Sequence, residues 1–256
     1  MRKIWSVALN TFRESVREKL LYLVIIYALA LMVSVFILSP LSVGAARGKI
    51  VTDVGLAGIS ILGILTAIIV GSNLVHKEMD KKAVLMVLTR PVSRAGYLIG
   101  KFAGVSLSLL LLIGIMTAVL VVMMLVGGAS LTPVVFMAIG LSLIEIGLIV
   151  AVMIFFSTFT TPLLTSFFTI CIFVMGSLSG DLRLFAQKFG GKAMNYAMDV
   201  LYFTLPNLKV FNLRHEAVHG LRYSAVEILL PAAYGIVYTA AMIYFAYLVF
   251  RRREFS

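Results

Sequence analysis

Charged residues are scarce in this chain of 256 residues: only 13% are Asp, Glu, Lys or Arg, whereas 61% are hydrophobic. Soluble domains average roughly 25% charged and roughly 45–50% apolar residues. A single soluble core cannot hold this excess of apolar side chains. The composition therefore excludes an ordinary soluble protein and favours a chain whose apolar surface faces lipid.

Cysteine and acidic residues are also rare. The one cysteine, Cys171, lies in an apolar run, so an internal disulfide is excluded. The 11 acidic residues face 22 Lys and Arg, a net charge of +11 that in a soluble protein would suggest nucleic acid. Here the basic residues flank apolar segments, as they do around membrane spans, and leave no dense basic and aromatic surface for nucleic acid.

The chain also lacks a motif for binding ATP. The nearest match to a Walker A sequence, at 96–101, has one residue too few between its glycines and is followed by Phe102 instead of Ser or Thr. We therefore expect no ATP hydrolysis by this chain and no enzymatic activity of its own.

Six segments are long and apolar enough, or nearly so, to cross a bilayer, which requires about 20 residues of helix. They lie at 20–43, 54–75, 98–126, 134–157, 162–179 and 226–250. Thr161 as N-cap and Pro162 at the first helical position mark the start of the short fifth segment. The sequence thus predicts an all-α membrane protein forming one domain over residues 1–256.

The distribution of Lys and Arg predicts the orientation of these spans. The two tails and the 76–97 loop carry thirteen basic residues, against eight in the loops on the other side. Because basic loops remain in the cytoplasm, both termini are expected there and the long 180–225 loop outside. In that loop, aromatic and Met residues suggest helices along the outer surface, broken at Pro206 and Asn207.

The first nineteen residues are too polar to span. Trp5, Ala8, Leu9, Phe12 and Val16 follow helical spacing. This pattern favours an amphipathic helix in the cytoplasmic interface of the membrane, with Trp5 at headgroup depth. The alternative is a charged tail that merely obeys the orientation rule.

The cytoplasmic loop between spans two and three predicts a second amphipathic helix. Val84, Leu85 and Leu88 share one helical face. Pro91 ends the helix, and Ser93 can cap the helix that becomes span three. The exposed apolar stripe needs a partner, either lipid or protein.

This same loop carries a family resemblance. The run HKEMDKK at 76–82, LTRPVSR at 88–94 and the pair Gly100-Lys101 resemble the type-2 ABC exporter permeases, with the NosY-like branch as the nearest likeness. The opening IWSVALNTFRE at 4–14, the closing RREF at 252–255 and LPN at 205–207 resemble that branch as well. The likeness therefore covers both ends and the six-span pattern.

The resemblance implies a permease subunit of the prokaryotic plasma (inner) membrane that works with a separate cytoplasmic ABC ATPase. ATP and Mg²⁺ would be bound by that ATPase, and no cofactor by this chain. Two permease and two ATPase subunits would form the exporter, as a homodimer or a heterodimer of permeases surrounded by lipid. The 77–91 segment would be the coupling helix, and a second contact would fall at 158–161. The residues expected at the ATPase are Glu78, Asp80, Val84, Leu85, Leu88, Arg90 and Pro91.

A competing motif lies at 215–219, where HEAVH matches the zinc-protease pattern H-E-x-x-H. On a helix, His215 and His219 could bind zinc while Glu216 activates a water. The downstream G-x-x-H extension is absent, and Glu227, at the edge of span six, is the only acidic residue between His219 and the C-terminal tail. A membrane-bound zinc metalloprotease therefore remains the alternative function.

Glu145 lies in the middle of span four, where a charged side chain is costly. It is either a residue of the translocation path or a protonated or hydrogen-bonded packing residue between subunits. A proton-coupled secondary transporter centred on Glu145 is a third hypothesis, but the repeats and broken helices typical of that class are missing from the sequence.

Span two contains Gly55, Gly58 and Gly63. Small residues let helices approach closely in membranes. These glycines are expected either in a dimer interface or in packing within the subunit.

Overall fold

The structure is a computed structural model that describes residues 2–17, 20–38, 46–80, 93–127, 129–219 and 225–252. Every regular element within those ranges is a helix. The elements are α1 (Arg2–Arg17), α2 (Leu20–Leu38), α3 (Ala46–Asp80), α4 (Arg94–Val126), α5 (Pro133–Ser157), α6 (Pro162–Phe189), α7 (Lys192–Thr204), a 3-10 helix (Leu208–Phe211), α8 (Arg214–His219) and α9 (Ala225–Arg252).

Five helices in the described ranges are long and apolar enough to cross a membrane. Their apolar parts are Gly48–Ile69, Ala95–Val126, Pro133–Ser157, Pro162–Phe189 and Val226–Arg251. A shorter apolar stretch, Tyr22–Ser34, lies in α2. The all-α membrane class is confirmed. Residues 39–45, the end of the first expected span, lie outside the described residues.

Two helices extend beyond the expected spans. Helix α3 begins at Ala46 and continues to Asp80, well past 75. Helix α6 continues to Phe189 instead of ending at 179. A lone Gly180 does not end it, because one glycine in a helix costs only about 1 kcal/mol relative to alanine. The helix ends where Gly190 and Gly191 follow each other.

Helix α5 forms the centre of the bundle. Every residue from 148 to 154 has an exposed fraction of 0%. Helices α3, α4, α6 and α9 all pack against α5. A helix that is apolar on all sides can be surrounded in this way, and this rigid central helix also carries Glu145.

Gly55, Gly58 and Gly63 of span two pack within the subunit. A Cβ atom at Gly55 would collide with Leu120 of α4, and one at Gly58 would lie 2.8 Å from the ring of Tyr27 in α2. At Gly63 it would lie 2.6 Å from Cδ1 of Ile146 in α5. These contacts answer the question left by the sequence in favour of packing within the chain.

Helix α1 lies against α4 through a face of small side chains that the sequence analysis did not single out. Ala8, Thr11 and Ser15 are its fully buried residues, whereas Trp5 is 59% exposed. Small residues face the neighbouring helix because the two backbones approach closely. Trp5 is left on the outer side, where a membrane interface can accommodate it.

The close approach of α1 depends on Gly104 in α4, which gives a first prediction. A Cβ atom there would lie 2.6 Å from Cβ of Thr11 and 2.7 Å from the carbonyl oxygen of Ala8. Gly104→Leu should therefore displace α1 and lower the free energy of unfolding by about 1–3 kcal/mol. Thermal unfolding of the purified protein in detergent measures this loss.

Gly114, on the same helix α4, provides a matched control for the substitution of Gly104. A Cβ atom at Gly114 would have no neighbour within 4 Å. Gly114→Leu should leave the unfolding temperature unchanged or raise it slightly, because helix propensity improves without a collision. Equal effects of the two substitutions would contradict the contact between α1 and α4.

The two ends of the bundle differ in what they contain. At one end, here called the base, α1 lies against the first half of α4, and the ring of Tyr97 stacks on Phe250 of α9 at 6.3 Å between centroids. At the opposite end, here called the far end, Gly48 of α3 contacts Ala129 between α4 and α5. Helix α1 and the end of α9 thus both lie at the base.

Candidate functional site

The base holds the two helices that flank the expected coupling segment. Helix α3 continues to Asp80, so residues 77–80 extend the span helix and a separate helix does not begin at 77. Glu78 and Asp80 therefore lie in the last turn of α3. The other residues expected at the ATPase, Val84, Leu85, Leu88, Arg90 and Pro91, lie outside the described residues.

Helix α4 begins where the sequence predicted. The Ser93 side chain accepts a hydrogen bond of 3.1 Å from the backbone N–H of Gly96. This N-cap satisfies one of the free N–H groups of the first turn and fixes where the helix starts. The segment 81–92 is thus attached at both ends to long helices of the bundle.

The second expected cytoplasmic contact is a tight turn at the same end. The Thr160 and Thr165 hydroxyls lie 2.7 Å apart, and Thr158 donates its hydroxyl hydrogen to the Phe155 carbonyl at 2.7 Å. Nearby, Ser166 of α6 donates to Ser72 of α3 at 2.8 Å. The hydroxyl groups of Thr158 and Thr160 are thus hydrogen-bonded within the chain.

A cavity of about 320 Å³ lies in the upper half of the bundle, between the middle of the spans and the far end. It is formed by α3, α5 and α6, with the segment 208–214 on the far-end side. Its apolar walls include Ala57, Ile61, Ile64, Phe173 and Leu208. Its polar residues are Ser60, Glu145, Ser177, Asp181, Lys209, Asn212 and Arg214.

Glu145 lines this cavity from the central helix. Its side chain is only 8% exposed, and no hydrogen-bond or ion-pair partner is found for it among the described residues. One turn away on the same face, the Ser142 hydroxyl lies 3.2 Å from the Ser60 hydroxyl of α3. A charged group at the centre of a membrane helix costs roughly 3 kcal/mol, so this carboxyl group is either protonated or balanced by a bound cation.

Ion pairs surround the far-end mouth of the cavity. Arg214 of α8 lies 2.9 Å from Asp53 of α3. Lys209 of the 3-10 helix is paired with Asp181 of α6. All four side chains are about half exposed, so each pair contributes only about 0–1 kcal/mol. The ion pairs can therefore separate at a small cost in free energy. While they are formed, they neutralise Lys209 and Arg214 at the mouth.

The segment 205–219 corrects the expectation for the outer loop. Helix α7 has no buried residue and lies on the outside, as expected for a surface helix. By contrast, Leu208, Phe211, Leu213 and Ala217 are all at most 5% exposed. The 205–219 part of this loop, about a third of it, therefore inserts into the far end of the bundle, and its apolar spacing just after Pro206 was the signal in the sequence.

Asn207 fixes the point at which the chain turns into the bundle. Its backbone N–H donates to the Tyr234 hydroxyl of α9 at 3.0 Å. Its side-chain amide donates to the Tyr202 hydroxyl at 3.3 Å, and its Oδ1 accepts from the N–H of Lys209 at 3.2 Å. Helix α7 ends at Thr204, so the break expected at Pro206 and Asn207 is confirmed.

The HEAVH motif does not assemble a zinc site from the described residues. His215 and His219 lie on the six-residue helix α8, with ring centroids 4.4 Å apart, and both are exposed. Within the described ranges, no three His, Cys, Asp or Glu side chains are placed to hold a metal ion. Because a catalytic zinc needs three protein ligands, the geometry does not support the metalloprotease alternative.

The comparison with known protein families agrees with the architecture of long apolar helices. No curated protein matches the chain significantly. A family model described as "ABC-2 family transporter protein" matches residues 5–255, which is nearly the whole chain. Such a chain is a membrane permease component of an ABC transporter, and the family normally pairs with a cytoplasmic ATPase subunit. With its bundle of apolar helices and this match, the chain belongs to the ABC-2 transporter family.

Proposed function

We propose that this chain is the permease subunit of an ATP-driven exporter of the prokaryotic plasma membrane. A separate cytoplasmic ATPase hydrolyses ATP, and the segment 77–91 transmits its motion to the spans. The base faces the cytoplasm, with both termini, and the far end faces outward. A second permease chain, either a copy or a related subunit, completes the transporter.

The attachment of the coupling segment is the observation that carries this proposal. Residues 81–92 connect the end of α3 at Asp80 to the capped start of α4 at Arg94. Both helices pack on the central helix α5. A force applied to the segment therefore reaches two helices of the bundle directly, and α3 lines the cavity. This is the connection that conversion of ATP-driven motion into helix movement requires.

The cavity supports a translocation path on the outer side. It extends from Glu145 near the middle of α5 to the ion pairs at the far end. Half-exposed ion pairs are suited to separate and re-form during a transport cycle. Outward release would then require the segment 205–219 to move away from α3 and α6.

Purification of the tagged chain from its source cells in mild detergent tests the proposal. A protein containing a Walker A sequence should co-purify in about equal amount. The rate of ATP hydrolysis by this subunit should differ between the complex with the permease and the isolated subunit. The control is a tagged membrane protein of similar size from the same cells, which should not retain that ATPase. Recovery of the permease with no ATP-binding subunit, even after chemical cross-linking in the cells, would contradict the assignment.

A further inference from the structure

The cavity around Glu145 contains one carboxyl group for which no ion-pair partner is found among the described residues. Asp181 and Lys209 form one ion pair at the mouth, and Arg214 is paired with Asp53. Asp53 itself lies outside the lining of the cavity, and Glu145 is the one acidic or basic lining residue without an ion-pair partner in the part of the chain that the structure describes. The inner part of the cavity therefore carries one carboxyl group, which is negative when it is ionised.

The position of Glu145 is also fixed by its surroundings, so its carboxyl group stays at the cavity wall. It is less than a tenth exposed, lies on the central and most buried of the candidate spans and lines an open space. The residues 148–154 that follow it are fully buried, so the helix cannot easily turn the carboxylate elsewhere. A carboxylate in a low-dielectric cavity attracts a cation strongly and is costly when empty.

The other residues that line the cavity favour an organic cation over a metal ion. A hard metal ion such as Mg²⁺ or Ca²⁺ needs about six oxygen ligands. Besides Glu145, the lining offers the side chains of Ser60, Ser177 and Asn212, while Asp181 is paired with Lys209, so six oxygen ligands are not available from the described side chains. The walls include the ring of Phe173 and the side chains of Ile61 and Ile64, which suit a hydrophobic body. An aromatic ring also favours an organic ammonium group.

We propose that this cavity binds an amphipathic organic cation, with its ammonium group at Glu145 and its apolar body against Phe173 and the isoleucines. The inference rests on the proposed function, because it names the class of cargo that the exporter would carry. A volume of about 320 Å³ is that of a site for a small molecule rather than for a polymer.

Equilibrium binding to the full-length permease in nanodiscs tests the cargo class without the ATPase. The probe is radiolabelled benzyltrimethylammonium, which carries one positive charge on a small aromatic body. Competing compounds of the same shape are neutral neopentylbenzene and anionic phenylmethanesulfonate. The cation should bind, and neither competitor should displace it at equal concentration. If the anion displaced the radiolabelled cation as effectively as unlabelled cation does, the proposal would be overturned.

Substitutions of Glu145 assign the binding to the cavity. Glu145→Gln should weaken cation binding at least about tenfold, because the ion pair with the ligand is lost. Glu145→Asp keeps the charge and should retain the preference for the cation. The matched control is Glu227→Gln at the start of α9, an exposed position that does not line the cavity. Glu145→Gln affinity within twofold of wild type would overturn the proposal.

A second variant covers the case in which Glu145→Gln does not fold, which thermal unfolding would reveal. Ser177→Trp keeps the carboxylate and fills the cavity from α6, where Ser177 is half-buried. It should also weaken cation binding at least about tenfold. Unchanged binding in this variant would overturn the proposal.

The two proposals fail in different ways. If the chain binds the cation but pairs with no ATPase, the binding site stands and only the proposed exporter is refuted. If the chain pairs with an ATPase but shows no preference for the cation, only the cargo class is refuted.

Discussion

Replacing Leu85 with aspartate will leave the exporter complex able to hydrolyse ATP but will reduce ATP-driven transport about tenfold or more. Leu85 lies with Val84 and Leu88 on the apolar stripe expected from the sequence of the coupling segment. In the proposed transporter this stripe sits against the ATPase. A carboxylate there would be buried without a partner, so the contact would loosen while the ATP sites remain intact. Proline at Leu88 should have the same effect by breaking the helix.

Transport and ATP hydrolysis are measured together in proteoliposomes containing both subunits. Met86→Asp is the matched control, because residue 86 is one helical step away from Leu85 and lies off the expected stripe. It introduces the same charge into the same segment and should leave transport close to wild type. All variants should insert into the membrane, since the segment does not span it. Full transport by Leu85→Asp would contradict the role of the stripe in coupling.

Much of the fold followed from the sequence because lipid imposes strong local rules. A span must be apolar over its whole length, so α5 was located to within one residue at its start, and the break at Pro206 was found. The start of α4 followed from Ser93, which was recognised in the sequence as a cap and accepts a hydrogen bond from the N–H of Gly96 in the structure. These features depend on neighbouring residues only.

Features that depend on distant contacts were harder to predict. The buried face of α1 is small and partly polar, because Gly104 of another helix lets it approach closely. The insertion of Leu208 and Phe211 depends on space left by Gly176 of α6 and Gly235 of α9. For Glu145, the sequence indicated only that a central carboxylate is costly. Its place in a cavity follows from how α3 and α6 pack beside α5.

Linking α8 to α3 will abolish transport if the far end must open to release cargo. The ion pair between Arg214 and Asp53 places these two positions side by side across the boundary between the inserted segment and the bundle. Cysteines at both positions, in a Cys171→Ser background that removes the native thiol, can be joined by a short bifunctional methanethiosulfonate reagent. The covalent link replaces an ion pair that contributes only about 0–1 kcal/mol with one that cannot separate during the cycle.

Transport in proteoliposomes should fall to background on cross-linking and recover when a reductant cleaves the link. Each single-cysteine variant, treated with the same reagent, is the control for chemical modification alone and should keep its transport. Loss of the ion pair by itself should matter little, because both side chains remain near half exposed. The large effect is thus expected only from the covalent link. Cross-linked protein that transports at the uncross-linked rate would mean that cargo leaves by a route in which α8 and α3 stay together.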